Sequence, residues 1–127
     1  MANKALTQKA IEQLATEVFN WLVDKEMWVD TVIYFNGKCW STNNKDCTEF
    51  CYNERKYFEY EADPRNHFDY VREPNILSMS FEGDLYDVLN GYSYGWVKNE
   101  EEFRKIFERY GLYFELGNAW NLSCYEI

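Results

Sequence analysis

Six carboxylates and four large rings fall within one short stretch, Glu82 to Glu102, which reads EGDLYDVLNGYSYGWVKNEEE. The acids are Glu82, Asp84, Asp87, Glu100, Glu101 and Glu102. The rings are Tyr86, Tyr92, Tyr94 and Trp96, and Lys98 is the single cation among them. Carboxylates without interspersed cations make an anionic surface that complements Lys and Arg, and such complementarity speeds encounter. Tyr and Trp beside them are the ring types that anchor protein interfaces. A plainer arrangement uses the same residues: Asp84 caps a short helix, Glu100, Glu101 and Glu102 complement the dipole of a second helix, and several rings enter the core.

Other chemistry-bearing residues are sparser. Cys39, Cys47, Cys51 and His67 could surround a zinc ion, but they lack the paired C-x2-C spacing of a knuckle, and Cys39 falls in a strand pattern. No metal and no cofactor is expected. His67 is the one histidine, and a Cys–His pair need only meet in space, yet nothing marks any of the four thiols as activated. Glu59 with Glu61, or Asp84 with Asp87, could act as acid and base. Among twenty-two acids some pair always looks suggestive, and no catalytic residue is assigned. There is no glycine-rich phosphate loop.

The charge is uneven. Net charge is −9, and from Glu73 to Glu102 seven acids face one base, so −6 of that total sits in about a quarter of the 127 residues. Such a surface repels nucleic acid and anionic membranes and attracts a basic protein surface. The N-terminal MANKALTQKAIEQ lacks the apolar core of a signal peptide, and no apolar run is long enough for a membrane span, so the expectation is a cytoplasmic chain with reduced cysteines.

The elements that must position these groups can be read in order. Ile11, Leu14, Ala15, Val18, Phe19, Leu22 and Val23 recur at helical spacing, with Thr7 as N-cap and Leu6 and Ile11 as a hydrophobic staple. WVDTVIYFNGKCWST predicts a hairpin turned at Asn36-Gly37. STNNKDCTEF reads as a polar loop and Tyr57 to Glu61 as a strand. Asp63-Pro64 starts a helical turn through RNHFDYV. ILSMSFE puts Leu77, Met79 and Phe81 on one face, and DLYDVLNG is a short helix closed by Gly91. Asn99 and Glu102 have capping-box spacing, so the last helix is expected to open at Asn99 with acids in its first turn. Its apolar face is Phe103, Ile106, Phe107 and Tyr110, and Gly111 ends it. A second hairpin is expected to turn at Gly117-Asn118. Trp40 and Trp120 each follow a turn. Both ends of the chain therefore read helix, strand, turn, strand. The expected architecture is a single α+β domain over 1–127, with an antiparallel sheet of five or six strands and helices on one face.

WVDTVIYFNGKCWST, LSMSFEGDLYDVLNGY and YGLYFELGNAWNLSCYEI resemble segments of small acidic accessory proteins carried by bacterial phages and mobile elements, similar in style to anti-CRISPR and antirestriction proteins. The resemblance implies a non-enzymatic inhibitor of a host nuclease or of its DNA loading. On this expectation a DNA-mimic face made by Glu82, Asp84, Asp87, Tyr92, Tyr94, Trp96, Glu100, Glu101 and Glu102 meets a basic surface of a nucleic-acid-binding protein or nuclease, without binding nucleic acid directly. Two alternatives stay open. Aromatics are 20% of the chain, and that excess also suits a ligand-binding or enzymatic domain with an aromatic pocket. A homodimer that buries its exposed rings against each other would use it as well.

Overall fold

The computed structural model describes residues 6–68, 71 and 76–127. Helix α1 (Gln8–Asp24) leads into strands β1 (Thr31–Phe35), β2 (Lys38–Ser41) and β3 (Phe58–Glu61). A 3-10 turn (Pro64–Asn66) precedes strand β4 (Leu77–Phe81). Helices α2 (Asp84–Leu89) and α3 (Trp96–Glu108) follow, then strands β5 (Leu112–Asn118) and β6 (Asn121–Glu126). The six strands form one antiparallel sheet in the order β3-β2-β1-β4-β6-β5. The α+β expectation holds, with a helix–hairpin unit at each end of the chain.

Alternation along the strands decides the two faces. Ile33, Phe35, Leu77, Met79, Phe81, Leu122 and Cys124 pack into one core with Leu14, Val18 and Leu22 of α1, Leu85 and Val88 of α2, and Phe103 and Phe107 of α3. Burying a side chain of this size stabilises the fold by about 1.5–3 kcal/mol. Tyr34 and Cys39 lie on the opposite face with Phe68. Much of the aromatic excess is consumed inside. Phe19 meets the edge of Trp28 at 5.1 Å, Trp40 stacks on Tyr57 at 4.3 Å, and Phe103 and Phe107 each approach Phe114 at 5.4 Å.

The local signals at the N-terminal half hold. Thr7 Oγ1 accepts from Ala10 N–H at 3.0 Å, and Leu6 and Ile11 both pack against the core. Asn36 and Gly37 both have positive φ, 50° and 78°, as a type I′ turn requires. Asp63 caps the 3-10 turn by accepting from Arg65 N–H. The turn ends at Asn66, and Asp69 and Tyr70 of the expected continuation lie outside the described residues.

Three expectations are corrected. Helix α3 begins at Trp96, three residues before Asn99, because Gly95 at φ 73° lets the chain enter the helix a turn early. Asn99 is therefore not a cap, and Glu100, Glu101 and Glu102 lie beyond the first turn. The second hairpin turns at Ala119-Trp120, not Gly117-Asn118: Asn118 pairs with Asn121, and a register shift falls between Leu116 and Asn118. Asn118 Oδ1 organises that turn, accepting from Trp120 N–H at 3.0 Å and Asn121 Nδ2 at 2.6 Å, so the Asn side chain sets the turn. Trp120 thus sits in the turn rather than after it. Finally, Gly83 is the N-cap residue of α2 and Asp84 its first residue, with no side-chain cap.

Candidate functional site

The acidic and aromatic stretch starts where β4 leaves the sheet. Glu82 N–H donates to Asp30 O at 3.0 Å, and Gly83 then passes close over Val29. Helix α2 lays Leu85 and Val88 into the core, which turns Asp84 and Asp87 outward. Gly91 at φ 77° closes α2, and Tyr92 N–H returns to Asp87 O at 2.8 Å. Asn90 Nδ2 ties the segment to the second hairpin through Ala119 O at 2.8 Å. The chain between α2 and α3 is held at both ends and projects Tyr92 and Tyr94 outward, while Ser93 between them is half-buried.

Three of the four rings are exposed. Tyr92 is 73% exposed, Tyr94 fully, and Trp96 37%. Tyr92 stacks over the half-buried Tyr86 at 6.3 Å. Trp96 lies over Gly91, where an added Cβ would meet its indole at 3.4 Å, so it supports the turn as well as facing solvent.

The six acids divide into two groups. Glu82, Asp84 and Asp87 are exposed, and none forms an ion pair among the described residues. The other three are partnered. Glu100 faces Arg104 at 3.5 Å and Glu101 faces Lys105 at 3.2 Å, both one helical turn on. Glu102 meets Lys25 at 2.9 Å and accepts from Trp21 Nε1 at 3.2 Å, and these two contacts, Lys25 foremost, hold its carboxyl below the usual carboxylate range. Glu102 therefore belongs to the α1–α3 contact, and Glu100 and Glu101 to ion pairs along α3. Sequence counting missed their cations because Arg104 and Lys105 fall beyond the stretch and Lys25 comes from α1. The i+4 spacing of Arg104 and Lys105 was the available signal; Lys25 had none.

The other candidates behave as structural residues. Among the described residues no three His, Cys, Asp or Glu side chains converge to hold a metal. Cys39, Cys51 and Cys124 are buried thiols and Cys47 is an exposed one. Burial pushes Cys39 and Cys51 up, and Cys124 up to about 12, the reverse of an activated nucleophile. His67 packs against Tyr34 at 5.5 Å. Glu59 is committed to Trp40 Nε1 at 2.8 Å and Lys38 at 3.2 Å. An open cleft of about 750 Å³ lies beside the first hairpin, and its lining is largely polar, with Tyr34 and Phe35 its two rings.

No helix among the described residues is long and apolar enough to cross a membrane. No family model, curated protein or solved structure matches the chain.

Proposed function

We propose that the protein is a non-enzymatic binding protein whose acidic, ring-bearing face engages a basic surface on a nucleic-acid-handling protein and inhibits it. The observation that carries this reading is Tyr92 and Tyr94 standing in solvent on the segment that carries three exposed carboxylates, Glu82, Asp84 and Asp87, none of which forms an ion pair among the described residues. Exposed rings of this size contribute most when a partner desolvates them. Uncompensated acids repel one another in the free protein and are relieved by an incoming cationic surface. Trp96 supports the turn from below. Glu100, Glu101 and Glu102 already have partners and make at most a rim contribution.

Inhibition follows from geometry of occupancy. A face carrying carboxylates beside planar rings presents the two features, anionic groups and stacking surfaces, by which single- or double-stranded nucleic acid engages basic grooves. A protein seated in such a groove excludes the nucleic acid without catalysis. That is the mode of an anti-CRISPR or antirestriction protein of a phage or mobile element, acting in the cytoplasm.

The test is capture from a bacterial lysate, wild type against Glu82→Gln/Asp84→Asn/Asp87→Asn. Wild type is expected to retain a nuclease or other DNA-handling protein that the triple variant releases, and capture should weaken steeply as salt shortens the screening length below about 10 Å. Equal capture by both proteins, or capture indifferent to salt, would reject the reading.

A further inference from the structure

The exposed rings of the Tyr92–Tyr94 turn have a second set at the same end of the sheet. β1 begins, β2 and β4 end, and β6 begins at one end of the sheet, where Thr31 pairs with Phe81, Val32 with Ser41 and Ser80 with Asn121. The chain leaving β2 there carries Phe50, 74% exposed, and Tyr52, 68% exposed. Cys51 between them is buried and its N–H donates to Thr42 O at 2.8 Å, so alternation turns both rings outward. Nothing in the sequence separates them from an ordinary polar loop.

The two ring pairs share a support. Asn53 N–H donates to Trp28 O at 2.8 Å, and Asn53 Oδ1 accepts from Trp28 N–H at 3.3 Å. Two residues on, Asp30 O accepts from Glu82 N–H at 3.0 Å. Asn53 and Asp30 hold φ of 52° and 46°, a left-handed conformation that Asn and Asp tolerate. Trp28 fixes the support beneath: it is fully buried and its indole N–H donates to Lys56 O at 2.8 Å. Since three extended residues reach no more than about 10 Å, the two loops leave the support within roughly 20 Å of each other. One standard protein interface covers that span. Asp30 is exposed and without an ion pair among the described residues, and its backbone bond to Glu82 adds a further carboxylate to this support.

We infer that this end of the sheet is one docking surface for an arginine-rich protein segment, with Phe50 and Tyr52 as its second pair of ring platforms. The inference rests on the function proposed above and names the chemistry of the partner. Guanidinium groups stack on ring faces while pairing with carboxylates, whereas an ammonium pairs without stacking as well. Rings and acids within one such surface therefore select Arg over Lys at equal charge.

The test is titration with an oligoarginine and an oligolysine peptide of equal length at low salt. Wild type is expected to bind oligoarginine about five- to thirty-fold more tightly, the effect of two stacked rings. Phe50→Ala/Tyr52→Ala should erase most of that preference and leave oligolysine binding within about twofold. Phe50→Leu/Tyr52→Leu keeps apolar area without a ring face and should behave alike, which guards against misfolding of the alanine variant. Equal affinity for both peptides, no binding of either, or an unchanged preference in both loop variants overturns the inference. If the loop variants are silent while Glu82→Gln/Asp84→Asn/Asp87→Asn weakens both peptides, this inference fails and the function proposed above stands.

Discussion

Gly83→Ala separates close packing from backbone propensity because the two predict opposite signs. Gly83 has φ −96°, outside the left-handed region, and on the entropy of the unfolded chain alone Ala there would stabilise the fold by about 0.4–1 kcal/mol. Its surroundings say otherwise. A Cβ at Gly83 would lie 2.5 Å from the Val29 carbonyl oxygen and 3.2 Å from Val29 Cβ. Relieving that overlap needs a backbone movement of about 1 Å at the start of α2 or in the Trp28–Asp30 segment. Both are pinned, the first by Leu85 and Val88 in the core and the second by Trp28. Overpacking against fixed backbone costs about 1–3 kcal/mol, which outweighs the propensity gain. Thermal unfolding should therefore show Gly83→Ala melting lower, by up to about 10 °C at this chain length. A midpoint equal to or above wild type would refute the reasoning and show that Val29 and the Glu82 segment are not rigidly apposed.

Glu100→Gln/Glu101→Gln/Glu102→Gln should bind the partner within about threefold of wild type, since these acids already have cations, while Glu82→Gln/Asp84→Asn/Asp87→Asn should lose more than about tenfold; equilibrium titration at low salt compares them. Trp28→Phe removes the indole donor to Lys56 O and leaves a void, so chemical denaturation should show a loss of about 2–4 kcal/mol. Burial and then the Glu17 carboxylate push Tyr110 up to about 12, against 10.0 when unfolded. With the folded value raised, the stabilisation is complete below pH 10.0 and is lost as pH rises toward about 12. Tyr110→Phe should flatten the fall of melting temperature in that window, and Tyr34, also raised to about 12 mainly by burial, should account for a second part.

What the sequence made legible was local. Thr7, the Asn36-Gly37 turn, and the alternation of Leu77, Met79 and Phe81 each depend on residues a few positions apart, and each holds. The errors came where neighbouring signals competed. Asn99 and Glu102 had capping-box spacing, but Gly95 supplied a positive φ four residues before Asn99 and Trp96 packed over Gly91, so the helix began earlier. Gly117-Asn118 offered a turn, but the Asn118 side chain closed one at Ala119-Trp120. The candidate site was half legible. Clustered acids and rings can be read in order, whereas their counter-charges cannot: Lys25 comes seventy-seven positions before Glu102. Phe50 and Tyr52 were invisible for the same reason, since only the bonds of Asn53 to Trp28 and of Glu82 to Asp30 tie their loop to the segment that leads into α2 and the Tyr92 turn.

Competition decides whether the face stands in for nucleic acid. The partner captured by wild type is titrated with duplex DNA and the protein together, at low salt. Mutual exclusion is expected, with DNA displacing the protein and the protein displacing DNA in proportion to their concentrations, and with Glu82→Gln/Asp84→Asn/Asp87→Asn unable to displace DNA. A ternary complex in which the partner holds both at once would contradict occupancy of a nucleic-acid groove.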